Sequence, residues 1–457
     1  MVPELVKEAA RLIAAEGGRL LLVGGRVRDG LLGLKADTGL SFADYDLVAF
    51  NLSPENLSRL LARAGPVRHL ARRTFSASEK VPALFHLRQG GNILEISLPK
   101  TLQETEGREY SGGALAGDAL ARDFTINAIY QDPLTGEISD PLDGRGDLAG
   151  GRLRLCSPLS FDQDPLRLLR AMSFISRLGF APSADLLDKA REAKPYLSNI
   201  PPDRFWPEWR KWASGSFPRL GLEFLADSSL RGLWPVLENL AATPQNPRYH
   251  KEGDVWIHTL MVVEELGKMS LPPERDRVIL TLAALLHDVG KPSTTREKAG
   301  KWISHGHARA GVVLARIFLR SLRAPGRIIE QVGRLVGCHM DLYRPTPKSV
   351  RRLARRLGGE LSVRDLYYLV LSDDRGRIAE KTRSAEALPP LEKIMEPLEC
   401  ERPPEYIKGR DILSAFPHLQ PGPEIGRLLK LVNRASDDGL VSGREEALAL
   451  VAAEISV

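Results

Sequence analysis

Val23-Gly24-Gly25-Arg26-Val27-Arg28-Asp29, answered downstream by Asp44-Tyr45-Asp46, decides the fold of the first third of this chain. Arg19–Val23 (RLLLV) in front of the glycines reads as a strand, and Asp29–Leu34 behind them as a helix. A strand that runs through paired glycines into a helix lets backbone amides approach a phosphate, and Arg28 adds positive charge there. Tyr45–Phe50 (YDLVAF) and Asn92–Leu98 (NILEISL) read as two more strands, with Glu55–Ala64 as a helix, so this portion is α/β. Asp44 and Asp46 stand two residues apart at the head of an apolar strand, which places them on one face. Two carboxylates there are costly without a cation and suit hard divalent ions, Mg2+ foremost. Such ions would activate a 3′-hydroxyl and stabilise a leaving pyrophosphate. Glu95, midway along the third strand, is either a third carboxylate of the set or an outward-facing strand residue.

Beyond about Asp164 the strand signals fade and helical periodicity takes over. Pro201, Pro202 and Pro207 mark a joint, 241–247 (AATPQNP) reads as a linker, and the proline-rich stretch 388–404 precedes a short helical tail. A chain of 457 residues exceeds one hydrophobic core, and 43% hydrophobic with 27% charged residues is ordinary for a folded soluble protein. The excess of 64 basic over 58 acidic residues permits an acidic partner. Lys348–Arg356 (KSVRRLARR) is dense enough in cations to meet phosphates, or equally to form a solvated helix face. Three scattered cysteines form neither a disulfide framework nor a zinc pattern. No apolar run reaches membrane-spanning length and Leu5–Ala15 lacks a signal-peptide core, so a cytoplasmic protein with no membrane association is expected.

These motifs resemble the nucleotidyltransferases of the DNA polymerase beta superfamily, most closely the class II tRNA CCA-adding enzymes and bacterial poly(A) polymerases. Residues 24–32 look like the family's phosphate loop and Asp44-x-Asp46 like its metal pair. Arg122-Asp123-Phe124-Thr125-Ile126-Asn127-Ala128 resembles the R-D-F-T-I-N-A motif that contacts ribose and phosphates, which implies those roles for Arg122, Asp123 and Asn127. Residues 140–148 (DPLDGRGDL) resemble the element between head and neck, and Asp164-Pro165-Leu166-Arg167-Leu168-Leu169-Arg170 the base-selecting helix. Asp164 and Arg167, three residues apart on one helical face, would offer an acceptor and donors to a Watson–Crick edge, with Arg170 one turn on. The chain departs from the family at Ala121, Gln163 and Ser173, and 100–120 stands where many relatives carry a longer, more basic loop. Complete CCA addition, CC alone, A alone and poly(A) tailing all stay open.

Five of the nine histidines fall between His258 and His339, in a run that continues to Asp373. Histidines and carboxylates spaced across several helices are how a helical fold builds a metal site. The run resembles the HD phosphohydrolase domain that some bacterial CCA-adding enzymes carry behind the transferase. The resemblance implies His258, His287, Asp288 and Asp373 as ligands of a divalent transition metal, with His307 and His339 as further candidates. It also implies hydrolysis of phosphomonoesters or 2′,3′-cyclic phosphates; gripping the tRNA body is the other reading. The expected architecture is a nucleotidyltransferase head at 1–150, an all-α neck at 151–245, an HD domain at 246–385 and a helical tail at 386–457. The expected partners are tRNA, CTP and ATP, with Gly24, Gly25 and Arg28 cradling the triphosphate.

Overall fold

A computed structural model describes residues 2–34, 43–70, 84–89, 92–99, 113–343, 345–358, 360–378, 390–395 and 405–455. They form two compact units, Met1–Ile200 with Asp227–Ser229, and Pro201–Ala226 with Leu230–Val457.

The first unit is built on β1 (Arg19–Val23), β2 (Ala43–Phe50), β3 (Val67–Leu70), β4 (Leu84–Gln89), β5 (Asn92–Ser97), β6 (Tyr130–Gln131) and β7 (Ile138–Ser139). They join in the order β3-β4-β5-β2-β1-β6-β7. The β2–β5 pair is parallel and pairs Asp46 with Glu95; the other pairs are antiparallel. The three expected strands are therefore present. Four more were not expected, two of them only two residues long and carrying no readable alternation. Helix α1 (Glu4–Ala14) buries Leu5, Val6, Ala9, Ala10 and Ile13, and packs on β1 and on α3 (Pro54–Ala64). Ser53 caps α3 by accepting from the amide of Asn56 (3.2 Å), with Pro54 at the first helical position. On the sheet's other face Leu21, Val23, Val48 and Phe50 pack with Ala119, Ala128, Tyr130 and Cys156. Ala119 belongs to helix α4 (Gly113–Leu120), at the end of the expected loop, whose residues 100–112 lie outside the described ones.

Two readings are corrected here. The helix after the glycines is α2 (Gly25–Leu31): it starts on the second glycine rather than at Asp29, because Gly24 turns the chain at once. Arg167 opens the helix Arg167–Leu178, whereas Asp164 has an extended backbone (φ −149°, ψ 95°) after the short helix Ser160–Gln163. The two residues therefore do not share a helical face; Pro165, which favours extended backbone before it, separates them.

The second unit is helical. Trp209, Trp234 and Phe318 meet edge to face at its centre, with Trp209 5.1 Å from Trp234 and 5.2 Å from Phe318, so residues just past the proline joint share a core with the histidine block. The tail keeps a smaller core of its own around Ile412, Leu428, Val432 and Val451. Pro423 opens the helix Pro423–Asp437, as the Pro-Gly-Pro run suggests.

The basic stretch is ion-paired within the chain, while Lys348, Arg352 and Arg356 stay partly exposed. In the helix Pro347–Leu357, Arg355 Nε donates to Asp437 Oδ1 (2.8 Å) and Arg351 Nε to the Asp437 carbonyl (2.8 Å). Lys348 and Arg352 reach Asp438 Oδ1 at 2.8 and 2.9 Å, and Arg356 reaches Asp341. These cations sit on the C-terminus of the tail helix, where its unpaired carbonyls and dipole favour positive charge. Replacing the buried Asp437 by Asn should speed amide hydrogen exchange across 423–455 by roughly tenfold, with exchange at 279–286 unchanged. Unaltered exchange in the tail would mean that these ion pairs do not hold it.

Candidate active sites

Gly24 sits at φ +78°, a conformation that costs a side chain dearly, and a Cβ there would stand 3.1 Å from Asp46 Oδ2. The carboxylate of Asp46 therefore lies directly against the glycine turn. Strand alternation puts Asp46 on the face that carries Val48 and Phe50, and its parallel partner Glu95 on that same face. Asp44 is in register with Ile93, two residues before Asp46; its side chain lies outside what is described. Glu95 is half-buried, 3.6 Å from His86 Nε2.

A connected polar network backs this face. Arg28 is buried rather than presented outward, and its NH1 donates to Asn127 Oδ1 (2.7 Å). Asn127 Nδ2 and the amide of Phe124 donate to Asp123 Oδ1 (3.0 and 2.8 Å), and Arg170 NH1 donates to Asp123 Oδ2 (3.0 Å). Burial alone would raise the Asp123 carboxyl, but Arg170, Arg167 and the Asn127 amide outweigh it and hold Asp123 well below the usual carboxylate range. Arg167 is buried too: NH2 donates to the Ala121 carbonyl (2.7 Å), and NH1 to Ser160 Oγ (2.7 Å) and to Gln163 Oε1 (3.3 Å). Two of the departures from the family, Ala121 and Gln163, thus touch Arg167, and the third, Ser173, bonds the Arg170 carbonyl (2.9 Å). Arg122 pairs with Asp118 (2.9 Å), which also accepts from Tyr130 Oη (2.6 Å).

Sequence reasoning missed Asp118. It gave Asp147 only a place in a motif, yet this buried carboxylate accepts from Thr125 Oγ1 (2.6 Å) and Arg154 Nε (2.9 Å). Its D-x-x-G-x-x-D-L setting is the one signal that could have marked it. Together these groups bring Arg28, Arg122, Asp123, Asn127, Arg167 and Arg170 into one assembly, and Asp164, whose Oδ1 accepts from the amide of Leu166 (3.3 Å), adds its negative charge beside Arg167.

In the second unit, His258 lies in the first turn of the helix Val255–Lys268, capped by Asp254 (2.9 Å from the Ile257 amide). His287 and Asp288 follow the helix Arg277–Leu286, which is buried from Ile279 onward, and Asp373 lies in the last turn of Val363–Arg375. His258 Nε2 is 3.1 Å from Asp373 Oδ1 and 3.8 Å from Asp288 Oδ2; His287 Nε2 is 3.1 Å from Asp288 Oδ2 and 3.9 Å from Asp373 Oδ1. His287 Nδ1 donates to the Ala284 carbonyl (2.8 Å), which leaves Nε2 as the ring atom facing the two aspartates. Donor atoms of His258, His287 and Asp373 all lie within 4.8 Å of one another, a spacing from which they could hold one divalent ion, and Asp288 Oδ2 stands beside both histidines. The four predicted ligands are brought together.

Around them stand residues the sequence reading did not single out. Glu252 Oε1 is 3.0 Å from His258 Nδ1 and 2.8 Å from His250 Nδ1, the carboxylate–histidine contact that orients a ligand imidazole. Lys291 Nζ lies 2.6 Å from Asp288 Oδ2, and Arg377 and Tyr343 clasp Asp373. Burial pushes His339 down to about 3 and His250 to about 4, so both imidazoles are neutral near pH 7.

Residues 20–154 match the Poly A polymerase head domain family, and residues 255–375 the HD domain family. The multifunctional CCA protein of Xanthomonas campestris pv. campestris (strain B100) is 30% identical over 432 residues, covering 90% of this chain and 96% of that protein. The chain belongs to the multifunctional CCA protein family. The member from Hahella chejuensis is 31% identical over 408 residues, covering 84% and 89% of the two chains. The fold is that of the Bacillus stearothermophilus CCA-adding enzyme solved in complex with CTP (TM-score 0.63, 21% identity, 99% and 98% coverage). It is likewise that of the Thermotoga maritima CCA-adding enzyme complexed with tRNA (TM-score 0.58, 18% identity, 99% and 95% coverage). Family membership accounts for the order of head motifs followed by histidine block. No described helix is long and apolar enough to cross a membrane.

The Asp123 network yields a pH test. A carboxylate whose folded pKa is depressed stabilises the fold above its unfolded value of about 4, and that contribution is lost as pH falls below it. Asp123→Asn removes the charge and leaves Arg170 and Arg167 uncompensated, at a cost of about 3 kcal/mol at pH 7. Urea-unfolding midpoints of the two full chains should differ widely at pH 7 and converge as pH drops from about 5 toward 2. A gap that does not change with pH would contradict the charged-network account.

Proposed function

We propose that this chain is a tRNA nucleotidyltransferase that adds C and A residues to the 3′ end of tRNA from CTP and ATP, without a nucleic-acid template. The observation that carries this reading is the Asp46 carboxylate packed on the Gly24 turn, on the sheet face backed by the Asp123 network. Relatives over nine-tenths of the chain are multifunctional CCA proteins, and neighbours in fold include CCA-adding enzymes solved with CTP and with tRNA. The division is head 1–150, neck 151–245, HD domain 246–385 and tail 386–457, acting in the cytoplasm.

In this reading Asp44, Asp46 and Glu95 are the acidic donors. Magnesium ions at these carboxylates supply positive charge against the triphosphate and the attacking oxygen when bound. Gly24 and Gly25 leave room for phosphate oxygens beside the backbone. The 3′-oxygen of the tRNA forms a bond to the α-phosphorus, the bond to pyrophosphate breaks, and the 3′-hydroxyl proton is released. Arg122, Asp123 and Asn127 hold the shape of the ribose and phosphate side. Asp164 and Arg167, with Arg170, face the choice of base; since Arg167 donates to the carbonyls of Ala121, Arg122 and Ser160 and to the side chains of Ser160 and Gln163, it acts as a fixed rather than a searching donor. Hydrolysis of phosphate esters at RNA ends is the second activity, carried by His258, His287, Asp288 and Asp373. A first-row divalent ion there supplies an activated water when bound.

Two experiments check this. A tRNA lacking its terminal CCA, incubated with CTP, ATP or both and then sequenced, should end in CCA; arrest at CC or a long A tract would replace CCA addition with partial addition or tailing. Asp44→Ala should abolish incorporation, by at least 1,000-fold on the order expected for loss of a metal-binding carboxylate, with tRNA affinity nearly unchanged. Separately, Asp373→Asn should abolish 2′,3′-cyclic phosphate hydrolysis and leave incorporation within about twofold of wild type. Hydrolysis persisting in that variant would remove the rear assignment.

A further inference from the structure

Between Asp288 and His307 the chain leaves the rear cluster and returns to it as a largely exposed hairpin, with strands Arg296–Lys298 and Lys301–Ile303. Ala299 (φ 50°) and Gly300 (φ 69°) form its turn, both in the left-handed region that a two-residue type I′ turn requires. The register sets Lys298 opposite Lys301, and alternation puts Arg296 on the same face; Glu297 pairs with Trp302 on the other. At the base, Thr295 Oγ1 and Ser304 Oγ are 2.7 Å apart, and the Ser304 carbonyl accepts from His307 Nδ1 (2.8 Å). The arm is therefore fastened directly to the cluster.

Two lysines directly opposite one another repel, and an anion between them relieves that cost. The protein supplies none there. Arg296, Lys298 and Lys301 have no carboxylate partner among the described residues, nor has the exposed Arg309 in the first turn of the helix His307–Ser321. The cations of the helix Pro347–Leu357, in contrast, are taken up by Asp341, Asp437 and Asp438. These four unpaired cations flank the place where the cluster opens. His307 is 13% exposed, whereas His258, His287, Asp288, His339 and Asp373 are 3% exposed or less. The hairpin ends four residues before His307 and Arg309 follows two residues after it, so both border that opening.

We propose that this hairpin, with Arg309, binds the sugar–phosphate backbone of a single RNA strand and lays its end at the rear cluster. The proposal rests on the reading of that cluster as the site of phosphate-ester hydrolysis. Four cations spread over two strands and a helix turn suit successive phosphates along a strand, whereas a free cyclic mononucleotide offers one anionic group. Charged groups on long flexible stems follow a backbone without reading its bases. The arm therefore selects polynucleotide ends over free nucleotides and is indifferent to sequence.

Lys301→Glu tests the arm in the full chain loaded with Mn2+. The variant sets a carboxylate opposite Lys298, so it replaces a repulsion by an attraction and leaves the fold at least as stable. Hydrolysis of a short RNA ending in a 2′,3′-cyclic phosphate is compared with that of 2′,3′-cyclic AMP, and binding of the same RNA is followed by fluorescence anisotropy. Expected are a rise of about tenfold in KM for the RNA, a shallower fall of its affinity between about 50 and 200 mM salt, and an unchanged KM for the mononucleotide. Nucleotide incorporation into tRNA and the thermal midpoint should hold, and Lys301→Arg should keep the wild-type RNA affinity. An equal loss on both hydrolysis substrates would make the hairpin a mere support of the cluster and overturn the proposal. RNA affinity left intact by Lys301→Glu would overturn it too, as would incorporation falling together with that affinity, since the cations would then serve the head. Should the unmodified chain hydrolyse neither substrate, the rear-activity reading fails, and the anisotropy alone decides whether the arm binds RNA.

Discussion

The close approach of the Asp46 carboxylate to the Gly24 turn, 3.1 Å from where a side chain would begin, is the constraint on which the head depends. It requires a residue without a side chain at a positive φ, a strand ending immediately before it, and an antiparallel neighbour whose registry stops one residue short. Each requirement is local, yet together they fix where an anionic group and a phosphate-sized space stand relative to one another. The rest of that face serves to hold this geometry. Arg28, which sequence reasoning sent toward a phosphate, is turned inward to Asn127, and Asn127 to Asp123, so that a chain of charge-assisted hydrogen bonds ties α2 to the segment after α4.

The rear unit follows a different logic. Its helices are capped and buried in the usual way, but where they end they leave four imidazoles with Nε2 directed at two aspartates. Three of those imidazoles are locked by a carbonyl three residues back, at Ala284, Ser304 and Val336. At His287 and His339 the contact exists because each follows the end of a helix, where carbonyls lack intrahelical partners, whereas His307 opens a helix and bonds the turn in front of it. The same end effect that a helix must satisfy for stability thus sets the tautomer that a metal needs. Lys291 and Arg377 balance the carboxylates, so the cluster can persist in a core without collapsing toward neutral acids.

Much of this was legible in the residues. The order of strand, paired glycines, acidic pair and histidine run fixes the class of fold and the two sites, because each motif places a rare chemistry at a rigid local geometry. The failures have physical causes. Asp164 and Arg167 look helical by spacing, but Pro165 breaks the backbone between them. The ion pairing of the 348–356 cations could not be read from the sequence, because their partners Asp437 and Asp438 lie more than eighty residues away. Glu252 and Asp118 carry no motif of their own, and only tertiary packing reveals them. Short strands such as β6 and β7 exist through pairing of β6 with β1 and of β7 with β6 rather than through any pattern within them.

Anomalous scattering from crystals of the full chain grown with Mn2+ and CTP would test the central claim most directly. The account predicts a manganese peak within bonding distance of both Asp44 and Asp46, about 2.2 Å from each carboxylate oxygen, with the triphosphate beside Gly24 and Gly25. A nucleotide bound elsewhere, or an ion in the head that neither aspartate touches, would contradict it.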